Sequence, residues 1–445
     1  MNRIVKRLVS TGFVHILSSE VLNKVIASCS GILLVNLISK ESYGIYSYAL
    51  NILNTFLLFS GLGMNSAIIQ MGSEAIHQPA KQAKLVQLGY RWGILANAIL
   101  SVAILIFSFF FVFPIQGARE ALQYMAFLPL FYFTFEVIQA FFRIRLMNQV
   151  FSYANTGLAI MSAVMLILGA FTQSIRWIVI FRYFAYLTVI LVIAYRLRPP
   201  IISGPGRVQN LSNYTLSRED KVEMAKVGFV SLVNNSISSL LFLVDGWLIA
   251  AIIASSEVLA DYHTATLIPF AIFFIPGAVV TYVYPYIASH NQERAWLEEY
   301  FKKLYIAMAA VNLLISIGFY LTAPLIFRIL FPKYMSAVPI FRVLIIGYFF
   351  GGTFRVLSGN ILVMLHRLKV NTVIAIVSGL CNIVFDYLWI QQFGSIGAAY
   401  ATTAIYIISG LMGTGYVIYY LYKLPADPTV TNNEESDIID EEKKN

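Results

Sequence analysis

The sequence predicts an all-α integral membrane protein with twelve transmembrane helices, arranged as two pseudo-symmetric six-helix lobes around a central cleft. Three observations carry that prediction. Hydrophobic residues make up 59% of the 445 positions and charged residues 12%, with a mean hydropathy of +0.74, a balance that excludes a soluble globular fold. The basic residues crowd onto alternate loops, and the second half of the chain repeats a pattern found in the first.

A helix needs about 20 mainly apolar residues to cross hydrocarbon. Such stretches occur at residues 13–38, 43–71, 86–113, 119–142, 150–172, 175–196, 223–252, 256–288, 300–330, 337–365, 369–391 and 394–422. With a cytoplasmic N-terminus, roughly 22 of the 31 Lys and Arg fall on cytoplasmic segments, about 5 outside (Lys40, Arg119, Arg176, Arg328, Lys333) and about 4 within helices. That asymmetry places both termini in the cytoplasm. It also explains the net charge of +9 and the pI near 9.3 as topology, so no nucleic-acid partner is implied. The first apolar stretch holds Glu20, Asn23 and Lys24 and has no small-residue cleavage site, so it is expected to stay as a span rather than leave as a signal peptide. Cys29 and Cys381 lie in apolar runs as inert small hydrophobes, no His or Cys spacing resembles a metal site, and no cofactor is expected.

The longest polar interval, Arg196 to Lys226, is rich in Pro, Gly, Ser and charge and reads as a cytoplasmic linker. The expected organisation is an N-terminal lobe at 1–198, a linker at 199–222, a C-terminal lobe at 223–423 and a disordered acidic cytoplasmic tail at 424–445. Beyond the linker the pattern restarts: "GFV" at Gly12 to Val14 returns at Gly228 to Val230, 216 positions later. The same offset pairs Ser39 with Ser255, Glu41 with Glu257, Tyr46 with Tyr262, Ala49 with Ala265 and Ile52 with Ile268.

At helical spacing Glu20, Asn23, Lys24, Ala27, Ser30 and Gly31 form one polar and small stripe on the first helix. Its repeat partner carries Asn234, Asn235, Ser238 and Ser239 ahead of Asp245. Two matching polar helices imply a shared water-filled cleft, because a charge at the bilayer centre costs about 3 kcal/mol or more. A local alternative stands beside this: Glu20 lies four residues before Lys24, the favourable order for a helical ion pair. Further ionisable residues in the spans are Glu136, Arg182, Asp245, Arg342, Arg355 and Asp386. Arg355, in "GGTFRVLSGN", is surrounded by small residues and suits an anionic headgroup. Arg182 and Arg342, nearer the outer helix ends, either do the same or snorkel to the interface. Asp245 and Asp386 either bind a coupling cation or pair with an arginine. Pro129, Pro269, Pro276 and Pro285 predict bent helices.

The segment "LISKESYGIYSYALNILNTFLLFSGLGMNSAIIQ", residues 37–70, resembles the Tyr-Gly-x-Tyr stretch and Gly-Leu-Gly turn of polysaccharide-repeat transporters, the O-antigen flippase family. Residues 359–405 are similar to that family's helix eleven and twelve pattern, with Asn382 followed by Gly394, Gly397, Ala398, Ala399 and Ala401-Thr402. "FPKYMSAVPIFRVL", residues 331–344, resembles the family's approach to helix ten. Gln391-Gln392 departs from the family's usual proline at the last turn.

The resemblance implies a non-enzymatic flippase that moves an undecaprenyl-pyrophosphate-linked oligosaccharide repeat unit, of O-antigen, capsule or exopolysaccharide, to the outer leaflet of the bacterial cytoplasmic membrane by alternating access. On that reading Lys24 and Arg355 are the first candidates for the pyrophosphate, with Arg182 and Arg342 behind them. Glu20, Asn23, Asn234 and Asn235 complete the substrate surface, and Asp245, Glu20 and Asp386 are candidates for coupling to H+ or Na+. Expected partners are the lipid-linked oligosaccharide, membrane lipids and other polysaccharide-assembly membrane proteins. The rival readings are a cation-coupled multidrug antiporter of the same superfamily and, less well supported, a polysaccharide polymerase or ligase. Peptidoglycan-precursor flippases are close relatives, but they typically carry fourteen helices.

Overall fold

The computed structural model describes residues 13–197, 214–289, 293–365 and 367–424, and among these the secondary structure is helical with no strand. Ten helical stretches are long and apolar enough to cross a membrane, eleven when a pair bent by 40°, Ala118–Met125 and Leu128–Ile144, counts as one span. This is a multi-span membrane protein. The expected span at 223–252 falls on a long helix, Arg218–Ile253, in which Leu243–Ile253 is a shorter apolar piece. Most of the expected linker and tail lies outside the described residues.

Contacts divide the chain into two units. The first holds residues Met1–Leu267 and Phe327–Ala337, the second Ile268–Ile326 and Val338–Asn445. In the first unit run α1 (Phe13–Leu37), α2 (Lys40–Leu57), α3 (Met64–Glu74), α4 (Pro79–Phe110), α5 (Ala118–Met125), α6 (Leu128–Ile144), α7 (Asn148–Phe171), α8 (Ile175–Leu197) and α9 (Arg218–Ile253), with most of α10 (Ser256–Ile272). Met64, Ile68, Leu85, Val86, Phe133 and Val137 bury a core shared by α3, α4 and α6, and Phe135, Ile138, Phe142, Phe151 and Leu158 continue it toward α7. α1 packs along α7, and α7 along α8.

The second unit contains α11 (Phe274–Ser289), most of α12 (Arg294–Leu330), α13 (Val338–Phe350), one π turn (Gly351–Arg355), α14 (Val356–Met364), α15 (Leu368–Phe393) and α16 (Ser395–Lys423). Its core gathers Val283, Ile287, Leu297, Phe301, Leu357, Ile361, Leu362 and Val417.

Local chemistry explains the joints. Ser39 caps α2 by accepting from the Ser42 amide at 3.1 Å, and Ser255 does the same before α10 with the Val258 amide at 3.4 Å. The residues matched by the 216-residue offset thus perform the same capping job. "GLG" at 61–63 is a left-handed turn joining α2 to α3, with φ of 57° at Gly61, 48° at Leu62 and 75° at Gly63. Gly63 is also required sterically: a Cβ there would come within 2.0 Å of the Gly228 carbonyl oxygen. The span expected at 119–142 is interrupted and bent by 40° between α5 and α6, as Pro129 suggested; the proline itself sits in the first turn of α6, where its missing N–H costs nothing. At the last turn α15 runs on through Gln391 and Gln392, and the chain reverses at Gly394 with φ 67°.

α9 begins with a reciprocal cap in which the Ser217 hydroxyl accepts from the Asp220 amide and the Asp220 carboxylate accepts from the Ser217 amide. Lys81 of α4 adds an ion pair at 2.7 Å. The hydrogen bond from Lys81, seconded by those from Ser217, holds the Asp220 carboxyl below its ordinary range. A carboxylate depressed in the fold stabilises fully above the unfolded value of about 3.9 and loses that contribution as pH falls through the folded value. Acidification below about pH 4 is therefore expected to lower the melting temperature of the detergent-solubilised protein, and Asp220→Asn to flatten this part of the profile. A second test concerns the crossing of α2 and α10, where a Cβ on Gly44 would lie 1.9 Å from the Ser256 carbonyl oxygen. Gly44→Ala is expected to destabilise by about 1–3 kcal/mol in thermal unfolding, whereas Gly157→Ala, with open space around it, should be neutral.

Candidate functional site

α1 is helical across the residues of the expected polar stripe, and the charges there are not consumed by each other. Glu20 and Lys24 are exposed, and among the described residues neither joins an ion pair. The local Glu20–Lys24 bridge is therefore absent. Asn23 between them is half-buried, with its Oδ1 enclosed and without a hydrogen-bond partner. Deeper along the stripe Ser30 turns its hydroxyl back onto the Ala27 carbonyl at 3.0 Å. On α9, Asn235 is exposed, while the side chain of Asn234 lies outside the described residues.

Arg182 of α8 does not snorkel. Its Nη1 donates to the Tyr46 hydroxyl of α2 at 3.0 Å, and its guanidinium lies over the Tyr132 ring of α6 at 5.5 Å. Tyr186, one turn along α8, packs edge-on against Tyr132 with ring centroids 4.7 Å apart. The cation is thus held by the Tyr132 ring face and the Tyr46 hydroxyl, and it forms no ion pair with a carboxylate among the described residues. Glu136, one turn beyond Tyr132 on α6, is exposed.

The two arginines of the second unit are used differently. Pro324 lies inside α12 and has no N–H to offer the carbonyl four residues earlier. That carbonyl belongs to Tyr320, and Arg342 of α13 donates its Nε to it at 3.2 Å while its guanidinium covers the Tyr320 ring at 5.0 Å. Arg342 thereby mends a helix. Arg355 closes the π turn, half-buried, with Nη1 3.5 Å from the Asn371 Oδ1 of α15 and no carboxylate in ion-pair range among the described residues.

Both candidate coupling carboxylates are buried. Asp245 accepts a hydrogen bond from the Tyr262 hydroxyl, and Asp386, fully enclosed, accepts one from the Asn382 amide four residues earlier on α15. Tyr46 and Tyr262, equivalent in the repeat, thus each hold an ionisable side chain, Arg182 in one case and Asp245 in the other. The offset contained that clue. Nothing in the sequence signalled the ion pair of Lys40 with Asp261 at 2.8 Å, to which Ser336 also donates at 2.8 Å, because its members are far apart in the chain. No group of three or more His, Cys, Asp or Glu able to hold a metal ion occurs among the described residues.

Residues 9–291 match the family described as polysaccharide biosynthesis protein. An uncharacterized membrane protein of Methanocaldococcus jannaschii is 24% identical over 420 residues, covering 88% of this chain and 80% of that one. Among solved structures, the lipid II flippase MurJ in an inward closed conformation superposes with a TM-score of 0.71 at 16% identity, covering 92% of this chain and 89% of that one. The inward-facing conformation of a multidrug resistance MATE family transporter of the MOP superfamily gives 0.67 at 14% identity, covering 90% and 95%. The fold is therefore of the MurJ and MATE type.

The geometry at Pro324 yields a double-mutant test. Arg342→Ala is expected to cost about 1–3 kcal/mol of stability, the penalty of leaving a carbonyl without its donor. In a Pro324→Ala background, where the helix supplies its own N–H, the same substitution should cost measurably less in thermal unfolding.

Proposed function

The chain belongs to the polysaccharide biosynthesis protein family, and from that premise we propose that it is a flippase for a lipid-linked oligosaccharide. The observation that carries this reading is the sorting of cations. Lys24, Arg182 and Arg355 lie on apolar helices and join no carboxylate among the described residues, an arrangement that favours an anionic ligand over a cationic drug. A pyrophosphate-linked sugar has such a head, and its carrier lipid tail is at home in the bilayer. Lys24 in the first unit and Arg355 in the second are each a first candidate for the pyrophosphate in this reading, with Arg182 behind its tyrosines. Arg342 is a weaker candidate because the Tyr320 carbonyl already occupies it. Glu20, Asn23 and Asn235 offer hydrogen bonds to the sugar, and Asn234 belongs with them by its place on α9. No reacting group is needed, so the protein acts as a transporter and not as an enzyme.

The finer picture is alternating access by two related six-helix halves in a bacterial cytoplasmic membrane, with both termini in the cytoplasm. Coupling to H+ or Na+ would pass through Asp245 or Asp386, buried carboxylates whose protonation or cation loading changes the cost of burial.

The test is made in cells lacking the gene, by measuring lipid-linked repeat unit held on the cytoplasmic leaflet together with surface polysaccharide and drug sensitivity. Accumulated lipid-linked repeat with lost surface polymer is the expected result. Lys24→Ala and Arg355→Ala should restore at most about a tenth of transport, as removal of one charge-assisted contact of about 1.5–3 kcal/mol implies. Normal polymer with heightened drug sensitivity would instead identify a multidrug exporter.

A further inference from the structure

The π turn at Gly351–Arg355 is the one such turn among the described residues, and a single side chain from a neighbouring helix is fitted to it. The Val356 amide donates to the Gly351 carbonyl, five residues back rather than four. Asn312 of α12 faces this turn. It is fully buried, its Oδ1 accepts from the Tyr348 hydroxyl at 2.9 Å and its Nδ2 donates to the Thr353 hydroxyl at 3.1 Å. Tyr348 and Thr353 are likewise fully buried.

Tyr348 and Thr353 are five positions apart. On a regular α-helix, residues at that spacing point about 140° apart, so one short amide does not reach both. The wide turn carries one extra residue and brings them onto one face. Asn312 thus ties a residue ahead of the wide turn to one within it. The extra residue also rotates everything beyond it by about 100° relative to an unbroken helix, and Arg355 stands where that rotation is set.

The surroundings leave room for this geometry and little else. A Cβ on Gly351 would come within 2.8 Å of the Phe273 ring, one on Gly352 within 3.1 Å of Asn312 Nδ2, and one on Gly410 of α16 within 2.8 Å of the Phe354 Cβ. On the far side of the turn Gly359 leaves space for the guanidinium, since a Cβ there would lie 2.9 Å from Arg355 Nη1.

We propose that Asn312 is a positioning residue for Arg355: by bridging Tyr348 and Thr353 across the π turn it fixes the face on which the guanidinium is presented to an anionic headgroup. The anion part of this inference rests on the function proposed above, while the positioning part is independent of it.

Two readouts separate the parts. In the full chain with Cys29→Ser, Cys381→Ser and Arg355→Cys, reconstituted in liposomes, the rate of modification by a water-soluble methanethiosulfonate reports the setting of position 355. Asn312→Leu is expected to change that rate about tenfold, and an unchanged rate overturns the positioning role. If Asn312→Leu does not accumulate, the near-isosteric Thr353→Val removes one of the two bonds and must move the rate in the same direction, with Thr353→Ser restoring it. In chains that keep Arg355, binding of inorganic pyrophosphate is measured by calorimetry. Asn312→Leu should weaken it about tenfold, and the double variant with Arg355→Gln should bind no more weakly than Arg355→Gln alone. Additive losses would mean that Asn312 acts elsewhere and overturn the proposal. If Arg355→Gln binds pyrophosphate as the native chain does while the modification rate still shifts, the anion role of Arg355 falls and the positioning role stands.

Discussion

In hydrocarbon a backbone carbonyl freed at a helix end or break has no water to turn to, so another part of the protein must supply its donor. Much of this molecule's polar chemistry answers that demand. Gln82 donates to the carbonyls of Gly72 and Ile144, joining the ends of α3 and α6. Gln173 and Lys333 serve the last carbonyls of α1, at Leu37, Asn36 and Ile38. Arg294 reaches those of Tyr422 and Leu424 at the end of α16, and Ser236 that of Leu58 beyond α2.

This constraint separates structural from functional polarity. An amide or a cation on an apolar helix is a functional signal only after the backbone's needs have been met. Arg342 ranks below the other arginines by that criterion, because its Nε serves the carbonyl opposite Pro324. Arg182 and Arg355 pass it, since one is held by a tyrosine hydroxyl and ring and the other approaches only an asparagine oxygen. Lys24 passes as well, exposed on its stripe with no carboxylate answering it among the described residues.

The same distinction explains what could be read from the sequence. Helix positions were legible because their signal, apolar length, is local. The Ser39 and Ser255 caps and the left-handed turn at Gly61 to Gly63 were legible as a repeat and a glycine pattern. Partnerships across the chain were not: the residues around Arg182 come from three helices, and Lys40 meets Asp261 more than two hundred positions away. Periodicity places a charge on a face and is silent about what stands opposite. This is why Glu20 and Lys24, ideally spaced for each other, join no ion pair among the described residues.

The most informative arrangement is a reciprocal one. α12 lacks one backbone donor at Pro324, and Arg342, which donates to the carbonyl left over, comes from α13. The helix that α13 begins is widened at Gly351, and the amide that holds the wide turn, Asn312, comes from α12. Each helix supplies a side chain to its neighbour's irregularity: Arg342 to the Tyr320 carbonyl opposite Pro324, and Asn312 to Tyr348 and Thr353 around the π turn. The two irregularities thus exchange side chains, with Arg342 engaged by a carbonyl and Arg355 joining no ion pair among the described residues. A guanidinium intended only to satisfy the fold would not need so fixed a mount. Holding a bare cation in one orientation within an apolar helix has a physical use when something of opposite charge is to be met there.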